Sequence, residues 1–232
     1  MLDFNQESSN FSIDFTPARA RMLPVIILAD TSGSMHGEKI DSLNRAMSEM
    51  IESFRQNDSV QAELNVSIIT FGGSAKLIQD LTPVDEIIIP IFTAGGGTPL
   101  GGAIRLATDL IEDRERLPKN AYRPVIVLLT DGIPTDDADS AISKFVSEGR
   151  SRSCDRWSIG IGEGYTQEQP KALLEKFLSN PEDKFVMNVQ KANEIVEFFA
   201  ILSTMLETRT KSKNPNETSA KDEIDKLFAM FK

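Results

Sequence analysis

The chain has 232 residues, 40% of them hydrophobic and 26% charged, which suits one large globular domain with tails and excludes a disordered chain. Its formal net charge of −10 argues against nucleic-acid binding through phosphate counterion release and fits a cationic ligand, a metal ion or a basic partner better. Cys154 is the only cysteine, so no disulfide framework or thiolate metal cluster can form within the chain, and a reducing, cytoplasmic setting is expected. The acidic, polar opening MLDFNQESSN lacks the basic-then-apolar order of a secretory signal, and no apolar run approaches the roughly 18 residues of a membrane span.

In chain order, residues 1–19 read as an extension, with Phe4, Phe11, Ile13 and Phe15 as candidate anchors. MLPVIILAD follows, rich in Val, Ile and Leu without period-2 alternation, as expected of a strand covered on both faces. In KIDSLNRAMSEMIESF, Ile40, Leu43, Met47, Met50, Ile51 and Phe54 recur at helical spacing. AELNVSIITF is a second strand, and Gly72-Gly73 turns it into AKLIQDL as an antiparallel edge hairpin. TPLGGAIRLATDLI sets Leu100, Ile104, Ala107 and Ile111 on one helical face. RPVIVLLTD is a further buried strand, SAISKFVSEG a helix closed by Gly149, RWSIGIG a strand, QPKALLEKFL a helix, KFVMNV a strand and NEIVEFFAILSTML an apolar last helix.

Strands separated by helices of this length imply a doubly wound α/β domain over residues 20–208, its mostly parallel sheet carrying one antiparallel edge strand and helices on both faces. Residues 209–221 are polar and aperiodic and read as a linker. In 222–232, Ile224, Leu227, Phe228 and Phe231 fall at i, i+3, i+4 and i+7, an amphipathic helix that would fold back or dock on a partner.

Functional groups of open α/β sheets gather beyond the carboxyl ends of the strands. Three stretches end there in oxygen donors: Asp30, Ser32 and Ser34 after the first strand, Thr98 within TAGGGTPLGG, and Asp131 after RPVIVLLT. Two carboxylates and three hydroxyls make a hard donor set suited to Mg²⁺, with Mn²⁺ or Ca²⁺ as alternatives. Neutral hydroxyls leave much of the ion's charge unquenched, so a carboxylate from another molecule would still bind strongly.

At these residues the sequence resembles the von Willebrand factor A domains. ADTSGSM, GGGTPLGGAI and LLTDGIPTDD are similar to the three motifs of an A domain with an intact metal-ion-dependent adhesion site. The resemblance implies that Ser32, Ser34 and Thr98 ligate the ion directly, that Asp30 and Asp131 bind it directly or through water, and that a partner's Glu or Asp completes the shell. More narrowly, PVIILADTSGSMHGEKIDSLNRAM with IITFGG resembles the bacterial TerY-like proteins of tellurite-resistance clusters. That likeness implies a non-enzymatic scaffold or regulator in stress or defence signalling, accompanied by a Ser/Thr kinase and a metal-dependent Ser/Thr phosphatase.

Other readings compete. Asp30, Ser32 and Ser34 could merely cap the following helix, and Thr98-Pro99 reads as an N-cap with proline at the first helical position. Gly95, Gly96 and Gly97 permit tight turns but no Lys-Ser/Thr follows, as a phosphate loop requires. Gly160, Gly162 and Gly164 imitate part of a dinucleotide fingerprint at the wrong spacing. His36 is the only histidine and lacks a nucleophile elbow, which disfavours a Ser-His-Asp hydrolase and leaves His36 on the rim of the site. A metal-dependent phosphohydrolase and an A domain serving an AAA-type ATPase remain as alternatives. Asp136 is expected to favour a helix N-terminus, and Cys154 and Trp157 to pack.

Overall fold

The computed structural model describes residues 20–56, 62–162, 168–178, 187–189, 192–214 and 216. The extension at 1–19 and the amphipathic stretch at 222–232 lie outside the described residues. Six strands form one sheet: β1 (Arg21–Asp30), β2 (Ala62–Gly72), β3 (Ser74–Pro83), β4 (Val125–Thr130), β5 (Asp155–Ile161) and β6 (Met187–Val189). Their spatial order is β3-β2-β1-β4-β5-β6. Every pairing is parallel except β2 with β3, the hairpin turned at Gly73. Strand order reverses direction at β1, whose neighbours are β2 and β4, and this reversal opens a crevice at the carboxyl ends of β1 and β4.

Alternation along β1 divides the core into two layers. Val25, Ile27 and Ala29 face the layer that holds α1 (Glu38–Arg55) and α5 (Ala192–Lys211). Ile26 and Leu28 face α2 (Leu100–Glu112), α3 (Ala138–Ser147) and α4 (Glu168–Phe177). Both faces are therefore dry, which is why β1 and β4 carry apolar residues at consecutive positions. The stripe Leu100, Ile104, Ala107 and Ile111 is wholly buried, and Phe145 of α3 stacks on Phe177 of α4 with ring centroids 5.6 Å apart. Trp157 packs half-buried against the core and Cys154 is buried within it.

One detail differs from the sequence expectation. The last helix runs on to Lys211, three residues into the stretch read as a linker, because Arg209 is anchored inside. Its guanidinium donates to the Arg123 carbonyl at 2.8 Å and pairs with Asp155 at 3.1 Å. Between β3 and α2, residues 87–92 follow a 3₁₀ turn at Val84–Glu86 and join no strand. The segment is tied to α1 at both ends: Arg55 donates to the Ile87 carbonyl, and Asn44 brackets Phe92, donating to its carbonyl at 3.0 Å and accepting from its N–H at 2.7 Å. Pro90 within the run explains the absence of ladder pairing.

Candidate metal centre

The ends of β1 and β4 set the two carboxylates side by side. Ala29 is in register with Leu129, so Asp30 lies next to Thr130 and Asp131 follows one step beyond. Asp30 is fully buried, with Oδ1 accepting from the Ser32 N–H at 2.8 Å and Oδ2 from the Thr130 hydroxyl at 2.6 Å. Burial pushes its carboxyl above the usual carboxylate range. Hydrogen bonds from Ser32 and Thr130 oppose that shift, and the charge of Asp131 adds to it. Two neighbouring buried carboxylates of this kind are stabilised by any cation brought between them.

The hydroxyls close around this pair. The Ser32 and Ser34 Oγ atoms are 3.0 Å apart, and Ser34 Oγ donates to Asp131 Oδ1 at 2.6 Å. The other oxygen of Asp131, Oδ2, accepts from Lys39 Nζ at 2.6 Å. Thr98 comes from the separate loop before α2 and is only 5% exposed. Its backbone is fixed by Thr135, whose Oγ1 accepts from the Thr98 N–H at 3.0 Å and whose N–H donates to the Thr98 carbonyl at 2.9 Å. Thr98 Oγ1 itself has no hydrogen-bond partner among the described residues. A Cβ built on Gly132 would lie 3.5 Å from Ser34 Oγ and 3.8 Å from Thr98 Oγ1, so both hydroxyls border one small volume.

Three loops are fastened to one another to hold this arrangement. Gly95 N–H donates to Thr31 O at 2.8 Å, Gly33 N–H to Gly96 O at 2.9 Å, and Gly73 N–H to Gly97 O at 2.8 Å. Gly96 has φ +74°, and a Cβ there would come within 2.5 Å of Gly73 Cα. Only glycine allows the loop before Thr98 to lie this close to the β2–β3 turn.

All five residues singled out in the sequence, Asp30, Ser32, Ser34, Thr98 and Asp131, thus border one site at the crevice. Among the described residues no three His, Cys, Asp or Glu side chains gather as a metal-binding group, so an ion held here would depend on the hydroxyls. The donor set fits a hard divalent cation: every candidate ligand is oxygen, Thr98 Oγ1 has no hydrogen-bond partner among the described residues, and the buried Asp30 carboxylate is held only by neutral donors.

Helix capping does not account for these side chains. Neither the 3₁₀ turn at Gly33–Met35 nor α1 receives a side-chain cap from Asp30, Ser32 or Ser34, and Gly37 occupies the N-cap of α1. The expected Thr98 N-cap is corrected as well, since α2 starts one residue later with Pro99 at the N-cap. Asp136 caps that helix from a distance, accepting from Gly101 N–H and Gly102 N–H, each at 2.8 Å. Its helix is α2, whereas α3 is capped by Asp137, which accepts from Ser140 N–H at 3.1 Å. His36 is exposed at the rim.

Sequence reasoning missed Lys39, Thr130 and Thr135. Lys39 carried a readable signal: a cation in the first turn of a helix opposes the helix dipole, so its presence one turn after D-x-S-x-S implies a compensating anion. Thr130 could be inferred from strand register only once β1 and β4 were known to be neighbours. Thr135 offers no local signal.

The model of the von Willebrand factor type A domain matches residues 25–201, most of the chain. The chain belongs to this family. Its A domain is 29% identical over 182 residues to pig (Sus scrofa) inter-alpha-trypsin inhibitor heavy chain H4, covering 73% of this chain and 19% of that protein. Chicken (Gallus gallus) matrilin-3 is 23% identical over 184 residues, covering 75% of this chain and 38% of that protein. The A domain thus spans well under half the length of these relatives. Among solved structures, the zinc-occupied form of mussel byssus proximal thread matrix protein 1, described as having a MIDAS motif, superposes with TM-score 0.58 at 16% identity, covering 82% of this chain and 46% of that one. The pilus adhesin SpaC of Lactobacillus rhamnosus GG, in its open conformation, gives TM-score 0.66 at 12% identity, with 82% and 30% covered. At these identities the likeness extends to the fold alone. No helix among the described residues is long and apolar enough to cross a membrane.

Proposed function

We propose that this A domain is a Mg²⁺-dependent protein-interaction module in which the ion, held by Asp30, Ser32, Ser34, Thr98 and Asp131, captures a Glu or Asp of a partner. The observation that carries the reading is the Thr98 hydroxyl, without a hydrogen-bond partner among the described residues, in one crevice with two buried carboxylates. The ion would supply a Lewis-acidic position for the incoming carboxylate. This chain's residues do the rest: Thr130 and the Ser32 N–H orient Asp30, Thr135 positions Thr98, and Ser34 aligns Asp131. The zinc in the mussel protein's motif supports a divalent ion at such a site. Mg²⁺ is preferred here because the donors are hard oxygens, with Mn²⁺ or Ca²⁺ as alternatives.

The role is read as binding, not catalysis. A phosphohydrolase would need a nucleophile or a second carboxylate pair, and the only histidine is exposed on the rim. The motif likeness to TerY-like proteins supports a bacterial tellurite-resistance or stress setting, with a Ser/Thr kinase and a metal-dependent phosphatase as candidate partners and a cytoplasmic location. An A domain working with an AAA-type ATPase is the other assembly to consider.

Partner capture from extracts of the source organism tests the reading, using wild-type protein with Mg²⁺, wild-type protein with EDTA, and Thr98→Val with Mg²⁺. Partners retained only by the first sample support it. Recovery indifferent to both EDTA and Thr98→Val would remove its basis.

A further inference from the structure

We propose that Lys39 is a tethered cation that competes with the metal ion for Asp131, setting the ion concentration at which the site loads. The inference rests on the metal-site reading given above. Lys39 Nζ lies 2.6 Å from Asp131 Oδ2 and 3.4 Å from the Ser34 carbonyl. The Asp131 side chain is 0% exposed and the Lys39 side chain 32% exposed, so a half-open ammonium is paired with a fully buried carboxylate.

The hydrogen bonds around Asp131 explain why the two cations exclude one another. Its Oδ1 is committed to the Ser34 hydroxyl. That bond can persist with an ion present, because Ser34 Oγ can give its proton to Asp131 and a lone pair to the metal. The other oxygen, Oδ2, is held by Lys39 Nζ at 2.6 Å, so any ion or ion-bound water that reaches Asp131 meets a carboxylate already paired with an ammonium. An ammonium fixed within a few ångströms of a divalent ion would repel it in a site of low dielectric. Loading therefore requires Lys39 to leave.

Its surroundings allow departure without rearrangement of the fold. Lys39 stands in the first turn of α1, and its Nζ and Cε rest against Gly162, where a Cβ would lie 3.5 and 3.6 Å away. Gly162 has no side chain to trap it, and a long flexible stem can swing the charge into water. The pairing with Asp131 also accounts for a basic residue at the positive end of a helix dipole, which is otherwise an unfavourable place for it. Without an ion, the same ammonium neutralises a carboxylate that burial would otherwise leave uncompensated.

The test combines calorimetric Mg²⁺ titration of wild type and Lys39→Met with amine acetylation of wild type, read by mass spectrometry at Lys39 with and without Mg²⁺. Methionine keeps the stem and removes the charge. Lys39→Met is expected to bind Mg²⁺ about five- to tenfold more tightly, the scale of one half-buried ion pair, and to melt at a lower temperature in EDTA. Acetylation of Lys39 is expected to accelerate as Mg²⁺ saturates the wild-type site. An affinity unchanged or weakened in Lys39→Met overturns the proposal. If that variant does not fold, the wild-type labelling decides, and a Lys39 rate indifferent to bound Mg²⁺ overturns it. Wild-type protein that binds no divalent ion refutes the metal site and this proposal together, whereas equal binding by both proteins refutes only the role of Lys39.

Discussion

Thr98→Val separates a ligand from a structural hydroxyl because it exchanges an OH for a methyl of similar size. Thr98 is 5% exposed and its Oγ1 has no partner among the described residues. The contacts that place it, with Thr135 and Leu100, use backbone atoms that valine retains. Holding a hydroxyl out of water without a hydrogen bond costs about 1–3 kcal/mol in proteins. Relieving part of that cost predicts a change in EDTA between zero and about +2 kcal/mol. A stabilisation of 1 kcal/mol corresponds to roughly 2–4 °C in melting temperature for a domain of this size. In Mg²⁺ the sign reverses: wild type gains RT ln(1 + [L]/Kd), about 2.7 kcal/mol at a hundredfold excess over Kd, and the variant loses most of that gain. Urea denaturation in EDTA and in Mg²⁺ measures both terms. Loss of more than about 1 kcal/mol in EDTA would show that the hydroxyl serves the fold. An undiminished Mg²⁺ increment in Thr98→Val would show that it is not a ligand. Either result refutes the reasoning.

Three further outcomes follow from the same geometry. Asp136→Ala removes acceptors from two α2 amides held at 2.8 Å and is expected to cost about 1–2 kcal/mol by denaturant titration, the range of a lost helix cap. Gly101→Ala places a Cβ 2.5 Å from the Asp137 carbonyl oxygen, a backbone atom that cannot rotate away. A destabilisation of about 2–3 kcal/mol is expected in the same assay, with weakened Mg²⁺ binding because Thr98 is three residues upstream. The Cys154 thiol, 2% exposed, is pushed up to about 12, chiefly by burial, with Arg156 opposing the shift. It should stay a protonated thiol through pH 9, so iodoacetamide labelling of the native protein is expected to be slow and to become rapid only in denaturant.

The sheet was legible because its signals are local and redundant. β1 and β4 carry continuous apolar runs, with Asp30 closing the first and Asp131 following the second, and the helical stripe from Leu100 to Ile111 is buried as its spacing implies. Residues 87–92 belong to no periodic segment: Ile88 and Ile91 are each 84% exposed, and Phe92 is held by Asn44 on α1, a partner that periodicity does not contain. The five oxygen-bearing residues that border the crevice stand out in the sequence because they lie at or just beyond the end of a strand or shortly before a helix. The residues that orient them do not. Thr135 reaches Thr98 across a separation of 37 positions and Asp136 reaches Gly101 across 35, and neither contact is implied by a repeat or by the register of neighbouring strands. Lys39 was readable in principle, as a charge on the wrong end of a helix, but only to a reader already asking what anion it served.

The source of the site's rigidity bears on how an ion could act there. Backbone bonds between Thr31 and Gly95, Gly33 and Gly96, and Gly73 and Gly97 hold the three loops without help from any cation. Asp30 already has two donors, and Asp131 has a hydroxyl and an ammonium. Unlike a zinc finger, whose folding free energy comes largely from the metal, this site has its three loops joined by backbone hydrogen bonds of the chain itself. Binding free energy is then not consumed in ordering the loops, and the ion's effect on stability follows simple mass action. A partner carboxylate would likewise meet a prearranged position, with little ordering entropy to offset. In the proposed competition the one element that moves is the Lys39 side chain, anchored on α1, the helix that packs against α5. Control of loading by Lys39 would therefore act at the mouth of the site while the sheet and its glycine loops stay fixed.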